Sequence, residues 1–222
     1  RGVSVLDRLM KTAAGPHVAV TFDDGHASNR HAADVLAAAG MTADFFVNPS
    51  TIGSAGFLNW ALLREMRQLG MSIQSHGMHH RYLSDLSPAD VQQELTDSKA
   101  QIEQQLGAAV SIFAPPGGRM PPGFAQIAAQ AGYQAVCSSA VGYWQPARNA
   151  AMPDQALTEA EMIPRLAVLN ATDTARFQRW ITGHRPEMWK LQMRGALLQG
   201  AKRAVGNQRY DKLRAAIVGG PV

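Results

Sequence analysis

Cysteine is almost absent from this chain, because Cys137 is the only one among 222 residues. One thiol excludes an intrachain disulfide and a metal cluster held by thiolates, since either needs more than one cysteine. Long apolar runs are also missing, and a sequence without about eighteen consecutive apolar residues predicts no membrane-spanning helix. No Gly-x-Gly-x-x-Gly or Walker-type loop follows a strand-like run, so nothing indicates a nucleotide-binding fold.

Charged residues are sparse at 17%, whereas hydrophobic residues make up 46% of the chain, which is typical of a globular protein rather than a disordered one. The length suffices for one well-cored domain, including a single α/β barrel. The net charge of +4 is uneven: residues 171–222 carry ten Lys/Arg and three Asp/Glu, a net +7, which leaves −3 for the rest. We expect residues 1–170 to form the main domain and residues 171–222 to form a basic helical extension packed on it.

The basic extension permits more than one interpretation. Its helices could pack on the protein and leave a charged side in solvent. Alternatively, they could contact an anionic membrane surface or an anionic polymer. A nucleic-acid partner is not expected, because no recognised binding motif accompanies the charge.

Short strand-like runs alternate with helical runs along most of the chain. The predicted strands are residues 18–22, 43–47, 71–74, 111–114, 134–138 and 163–169, and the predicted helices are residues 29–39, 59–69, 88–106, 122–131, 172–182 and 187–205. This alternation predicts βαβ units and a parallel sheet. Six strands, with room for one more in residues 140–162, fit a distorted or incomplete barrel better than eight full units.

The residues that could act as metal ligands or as general acids and bases lie where these strands end. Asp23 and Asp24 follow the first strand, and His76 and His80 follow the third. Because parallel α/β folds place their active sites at the carboxyl ends of the strands, we expect these side chains to meet. One carboxylate and two imidazoles form a three-ligand site for a divalent metal with positions left open, and the other carboxylate can act as a general base. The alternative for the two aspartates is a plain Asp-Gly turn.

These segments resemble the motifs of a known family. Residues 21–25 (TFDDG), 75–80 (SHGMHH) and 113–118 (FAPPGG) are similar to the first three motifs of the polysaccharide deacetylases, the NodB-homology family or carbohydrate esterase family 4. Residues 135–142 and 164–168 resemble the later part of the same domain, so the resemblance covers roughly residues 15–170. It implies a distorted (β/α)7 barrel with C-terminal helices and a metal-dependent deacetylase.

The resemblance also implies roles for individual residues. Asp24, His76 and His80 would bind the metal, most simply Zn²⁺ with Co²⁺, Mn²⁺ or Ni²⁺ as alternatives, and Asp23 would be the catalytic base. The loop containing Pro116, Gly117 and Gly118 would contact the acetyl group, with the backbone N–H of Gly117 facing the oxyanion. Tyr143 and Trp144 either stack on a sugar ring or cap the core. His79 is expected to point away from the metal, and Cys137 to be an inert buried thiol. His26 could line the mouth of the cleft, but a plain loop residue is the favoured interpretation.

Two positions depart from the family pattern. The arginine that usually precedes the prolines of the third motif, where it holds the base, is Ala114 here. Arg119 or Arg165 could replace it, and Arg165 is favoured because it lies in the last predicted strand. The usual late Leu-x-His motif is missing after residue 170, which leaves His184 as the candidate general acid.

The resulting hypothesis is a hydrolase that removes N-acetyl or O-acetyl groups from a polysaccharide or glycolipid. Its partner would be an acetylated glycan, and its place of work the bacterial cell envelope or the cytoplasmic face of exopolysaccharide synthesis. The two departures motivate alternatives. One is a catalytically impaired carbohydrate-binding relative, and the other is a hydrolase of non-sugar amides.

Overall fold

A computed structural model describes residues 2–5, 17–144 and 158–205 of this chain. The chain divides into two compact units: residues 1–139 with 144–164 form the first, and residues 140–143 with 165–222 form the second. The predicted extension, packed on the main domain from residue 171 onward, stays a prediction. The stretch in which a seventh strand was expected includes residues 145–157, which lie outside the described residues.

A parallel sheet forms the centre of the first unit. A short pair, β1 (Gly2–Val3) and β2 (Val18–Ala19), precedes it. The sheet has six strands in strict chain order: β3 (Thr21–Phe22), β4 (Asp44–Val47), β5 (Ser72–Ser75), β6 (Ile112–Phe113), β7 (Ala135–Cys137) and β8 (Glu161–Ile163). Every neighbouring pair in the sheet is parallel, which requires crossover connections and places all the carboxyl ends at one edge. This curled sheet with flanking helices is the incomplete (β/α) barrel that the alternation predicts.

The helices lie close to the predicted bounds. They are α1 (Asn29–Ala38), α2 (Trp60–Gln68), α3 (Pro88–Leu106), α4 (Phe124–Gln130), α5 (Thr174–Ile181) and α6 (Arg185–Val205). Local signals explain several ends: the Asn59 side chain caps α2 by accepting the Leu62 N–H, and Gly107 ends α3 in a left-handed conformation. Among the described helices, none is both long and apolar enough to cross a membrane.

The prediction for the last strand was wrong. Residues 163–169 were expected to form it, but β8 ends at Ile163, where the predicted strand begins. Pro164 follows and has no N–H to donate to a neighbouring strand, so regular pairing cannot continue through it. The Arg165 N–H instead donates to the Ala140 carbonyl at 2.9 Å.

Buried side chains cover both faces of the sheet. All four residues of β4 are buried, as expected for a central parallel strand. One buried cluster joins Phe45 and Phe113 to side chains of α2 and α3 such as Leu63 and Leu95. A smaller cluster on the other face includes Phe46 and the fully buried thiol of Cys137. The sheet is therefore rigidly held, and the loops at its carboxyl edge are anchored to it.

Candidate metal centre and active site

The two aspartates lie at a tight turn directly after β3. Asp24 has a φ of 72° and Gly25 a φ of 70°, so both residues of the turn are in the left-handed conformation. Aspartate tolerates this left-handed conformation better than most residues. The Gly25 carbonyl accepts the Leu58 N–H at 2.9 Å, which fixes the turn against the loop that precedes α2. From this turn the Asp24 side chain reaches the two histidines that follow β5.

His76 follows β5 and is almost completely buried, with 2% of its surface exposed. Its N–H donates to the Val47 carbonyl at 2.9 Å, which extends the pairing between β4 and β5 by one residue. Its ring Nδ1 lies 2.7 Å from the Ala114 carbonyl oxygen. A carbonyl only accepts hydrogen bonds, so Nδ1 carries a proton, and in the neutral ring Nε2 is the nitrogen that keeps its lone pair. This is the tautomer that a metal-binding imidazole requires.

The side chains of Asp24, His76 and His80 converge. Asp24 Oδ1 lies 3.2 Å from His76 Nε2 and 3.1 Å from His80 Nε2, and the three potential ligand atoms lie within 4.8 Å of one another. His76, and to a smaller extent His80, holds the pKa of Asp24 well below its usual range, because each ring donates to the carboxylate when its Nε2 carries a proton. The hydrogen bond to Asp24 raises the pKa of His80, with a smaller contribution from the negative charge of Asp23.

The donor set suits a divalent cation. Two neutral imidazole nitrogens and one carboxylate oxygen are the ligands that Zn²⁺ and related ions bind in three-ligand sites. His76 is buried, whereas the side chains of Asp24 and His80 are 54% and 43% exposed. The cluster is therefore anchored on one side and open to solvent on the other, which leaves room for water and substrate. Asp23 precedes it directly, and its charge acts on His80.

The predicted acetyl-binding loop lies at the end of β6. Pro116–Gly118 form a single 3₁₀ turn, and Gly117 and Gly118 have φ values of 59° and 65°. The loop also contacts the histidine segment, because the Ala114 carbonyl accepts the His76 hydrogen bond. Arg119 follows, and its guanidinium carbon lies 4.1 Å from the centre of the Tyr82 ring. The cluster thus has residues from the ends of β3 and β5, and the end of β6 contacts it through the Ala114 carbonyl.

The remaining predicted residues lie in other surroundings. The Trp144 indole donates to Glu161 at 2.6 Å and packs against the smaller buried cluster, an environment typical of a residue that caps the core. Tyr143, Arg165 and His184 belong to the second unit. There the Tyr143 hydroxyl donates to the Trp180 carbonyl at 2.9 Å. His184 Nδ1 accepts the Glu187 N–H at 3.4 Å at the start of α6. The roles given to these residues stay predictions.

His79 takes no part in the cluster. Its Nδ1 lies 2.8 Å from Glu94 Oε1 on α3, so its ring points away from Asp24 as expected. Glu94 and a second residue, Asn48, were missed by the sequence analysis. A sequence feature could have identified each of them. Asn48 directly follows β4 at the same sheet edge as Asp23 and His76, and Glu94 is a charged residue on the buried face of α3.

Comparison with known proteins identifies similar sequences. The model of the polysaccharide deacetylase family matches residues 10–136. YxkH of Bacillus subtilis is 36% identical over 118 residues, which are 53% of this chain and 42% of YxkH. A peptidoglycan-N-acetylglucosamine deacetylase of Bacillus cereus is 31% identical over 121 residues, which are 54% of each protein. This chain therefore spans about half the length of the curated relatives it matches.

Solved structures are similar over a larger share of the chain. The deacetylase PplD of Streptococcus pyogenes, solved in complex with acetate, has a TM-score of 0.66 and 27% identity, covering 77% of this chain and 72% of PplD. IcaB from Ammonifex degensii has a TM-score of 0.67 and 23% identity, covering 82% of each chain, a likeness that bears on the fold alone. The distorted (β/α) barrel of the NodB-homology type is thereby confirmed.

Proposed function

This chain belongs to the polysaccharide deacetylase family, and from that membership we propose that it hydrolyses N-acetyl or O-acetyl groups of a polysaccharide or glycolipid in a metal-dependent reaction. One observation carries the proposal: Asp24, His76 and His80 come from two separate strand ends, and their potential ligand atoms lie within 4.8 Å of one another. Groups that converge in this way from distant parts of a chain are typical of a functional site.

The metal would be held by Asp24 and the two histidines. Zn²⁺ is the ion that this donor set favours, with Co²⁺, Mn²⁺ and Ni²⁺ as alternatives. When bound, such an ion polarises a carbonyl and lowers the pKa of water. The hydrogen bond from His76 Nδ1 to the Ala114 carbonyl supports the proposal, because it leaves Nε2 as the nitrogen that a metal can bind and fixes the orientation of the ring.

The chain's own residues would then carry the proton and the developing charge. Asp23 is the proposed general base, which accepts a proton from the attacking water. The backbone N–H of Gly117 would donate to the oxyanion of the tetrahedral intermediate. We further propose that Arg165 orients Asp23 and that His184 protonates the leaving group. The variants Arg165→Gln and His184→Asn, in the assay below, test these two roles.

An acetylated glycan is the proposed partner. Pro116 and Gly118 would line the acetyl group, and Tyr143, which is 41% exposed, would stack on a sugar. Trp144 is the weaker stacking candidate, because its indole is held by Glu161. The bacterial cell envelope, or the cytoplasmic face of exopolysaccharide synthesis, is the proposed place of work.

Acetate release from a panel of N-acetylated and O-acetylated oligosaccharides tests the function. We expect no release from metal-stripped protein and recovery after reloading with Zn²⁺, Co²⁺, Mn²⁺ or Ni²⁺. Asp23→Asn should lower kcat by about 10²–10⁴-fold, the usual contribution of a general base, while metal stoichiometry stays unchanged. Asp34→Asn is a matched control, because Asp34 is an exposed carboxylate paired with Arg30 on α1.

Other outcomes favour the alternatives. Stoichiometric metal binding with glycan binding but no acetate release would support a carbohydrate-binding relative with impaired catalysis. Metal-dependent hydrolysis of small amides, without release from any acetylated sugar, would support a hydrolase of non-sugar amides. Full activity in Asp23→Asn would refute the assignment of the base while leaving the deacetylase itself in place.

We also propose that the basic C-terminal helices contact an anionic membrane surface. On α6, Trp189 and Met193 are one turn apart and are 62% and 47% exposed, and Lys190 and Arg194 beside them are exposed as well. An exposed aromatic and apolar stripe flanked by basic residues is typical of helices that lie in a lipid interface. The net charge of +7 in residues 171–222 complements anionic lipid headgroups.

A further inference from the structure

The segment between His76 and His80 is held from two sides by buried polar side chains that are not themselves potential ligands. Glu94 on α3 is 3% exposed, and Asn48 at the end of β4 is 1% exposed. Glu94 accepts hydrogen bonds from the N–H groups of this segment, whereas Asn48 donates hydrogen bonds to its carbonyl groups. The two residues therefore satisfy opposite kinds of main-chain group in one short loop.

Glu94 receives three hydrogen bonds from two consecutive residues. Its Oε2 accepts the N–H of Met78 at 2.7 Å and the N–H of His79 at 2.9 Å. Its Oε1 lies 2.8 Å from Nδ1 of the His79 ring. The fit is close, because a Cβ built on Gly77 would lie 3.3 Å from Glu94 Oε2. A buried carboxylate with several N–H donors is a strong and directional anchor.

Asn48 binds the other side of the same loop. Its Nδ2 donates to the carbonyl oxygen of His76 at 2.6 Å and to that of Gly77 at 3.1 Å. Asn48 and Glu94 come from separate elements, β4 and α3, both of which are packed in the core of the first unit. Movement of the histidine loop would therefore break hydrogen bonds to two rigid parts of the fold at once.

Burying a carboxylate is strongly unfavourable unless its hydrogen bonds compensate, so a buried Glu94 is not expected without a specific requirement. We propose that Glu94 and Asn48 are positioning residues, which fix residues 76–80 so that His76 and His80 meet Asp24 before a metal arrives. Glu94 also holds the ring of His79 outward, so that His80 rather than its neighbour faces Asp24. The proposal rests on the proposed metal-dependent function.

Zn²⁺ affinity, measured by competition with a chromophoric chelator, is the first test. Glu94→Ala removes all three hydrogen bonds, and we expect it to weaken Zn²⁺ binding by about 10–100-fold, as for other residues that orient metal ligands. Glu94→Gln keeps the volume and one acceptor, so its affinity should lie between those of Glu94→Ala and the wild type. Asn48→Ala should weaken binding as well. Asp97→Asn, an exposed carboxylate on α3, is the control and should leave the affinity unchanged.

Amide hydrogen exchange in the metal-free protein is the second test, and it does not depend on activity. The amides of Met78 and His79 should exchange at least tenfold faster in Glu94→Ala, while the amides of α3 keep their protection. If Glu94→Ala does not fold, Glu94→Gln and Asn48→Ala carry both measurements.

Zn²⁺ affinities within twofold of the wild type in folded Glu94 and Asn48 variants would overturn the proposal. Unchanged exchange at Met78 and His79 would overturn it as well. If the wild-type protein binds no metal, the proposed function fails, and the exchange rates still decide whether Glu94 fixes the loop. His79→Ala separates the two parts of the contact, because it removes the ring and keeps both main-chain N–H bonds. We expect it to retain wild-type Zn²⁺ affinity.

Discussion

Backbone strain in the described part of the chain coincides with the candidate ligands. Asp24 and His80, with φ values of 72° and 56°, are its non-glycine residues with positive φ. Each such residue costs about 1 kcal/mol or more, and it persists only where the surrounding structure enforces it. Both side chains point into one cluster and are 3.1 Å apart. The strain therefore has a structural consequence, since it aims two residues from different loops at a common point.

Gly118 makes the closest backbone approach in the acetyl-binding loop. Its φ is 65°, and a Cβ built on it would overlap the Cβ of Ser139. Gly118→Ala should therefore lower the free energy of unfolding by about 2–4 kcal/mol, through left-handed strain and a clash that no rotamer relieves. Urea unfolding measures the loss.

Gly40 is the control for this substitution. It has the same φ of 65°, but a Cβ built on it would meet no other part of the described chain within 4 Å. Gly40→Ala therefore isolates the conformational part of the loss, about 1 kcal/mol. Equal losses in the two variants would show that the close approach to Ser139 adds nothing to the destabilisation caused by Gly118→Ala.

Individual site residues were predictable to different degrees. Asp24, His76 and His80 were found because strand ends meet in parallel α/β folds, which is a rule about topology rather than about coordinates. Glu94 and Asn48 were missed because their partners are main-chain groups of a distant loop. Nothing in a sequence pattern shows the path of that loop. A charged residue on the buried face of α3 nonetheless indicated that Glu94 has a polar partner, because buried glutamates are rarely unpaired.

Helices were predicted more accurately than strands. The bounds of α3 match the prediction because its end signals are local: Ser87, Pro88 at the first helical position, and Gly107. The strands are only two to four residues long, and their ends depend on pairing with neighbours far away in the chain. Residues 18–22 accordingly divide into β2 and β3, which belong to different sheets.

The cap of α3 supports a prediction about stability. Ser87 Oγ accepts the Asp90 N–H at 3.2 Å and donates to Asp90 Oδ2 at 2.6 Å. Ser87→Ala should lower the free energy of unfolding by about 1 kcal/mol, because one N–H of the first turn loses its partner. Gln104→Ala, at an exposed position near the other end of α3, should change it by less than about 0.5 kcal/mol. Thermal or urea unfolding distinguishes the two, and indistinguishable variants would argue against a stabilising cap.

At the scale of the whole molecule, strand order accounts for the location of the site. Six parallel strands in chain order place every strand end at one edge, so the aspartate turn, the histidine loop and the 115–118 loop become neighbours. The alternation of strands and helices was sufficient to predict this arrangement. The second unit was less predictable, because its helices carry no motif and their apolar residues include several that are exposed, such as Phe177 and Ile181 on α5.

The exposed stripe of α6 leads to the prediction that distinguishes a lipid surface from other partners. We expect the protein to co-sediment with phosphatidylglycerol vesicles, more weakly with phosphatidylcholine vesicles, and less at high salt, because screening weakens attraction to the headgroups. Arg194→Gln should lower the partition coefficient about fivefold, the effect of about 1 kcal/mol per basic residue at an anionic surface. Trp189→Ala should lower it as well, by removing apolar contact with the interface.

Arg64→Gln is the matched control, since Arg64 is an exposed arginine on α2 in the first unit, and it should sediment like the wild type. Equal binding to both kinds of vesicle, or an equal loss in Arg64→Gln, would contradict a specific role for α6. Salt-sensitive binding to soluble alginate without binding to vesicles would assign the basic residues to an anionic polymer instead. In that case Trp189→Ala should have little effect, because binding to the polymer would depend on charge rather than on insertion of an aromatic ring into lipid.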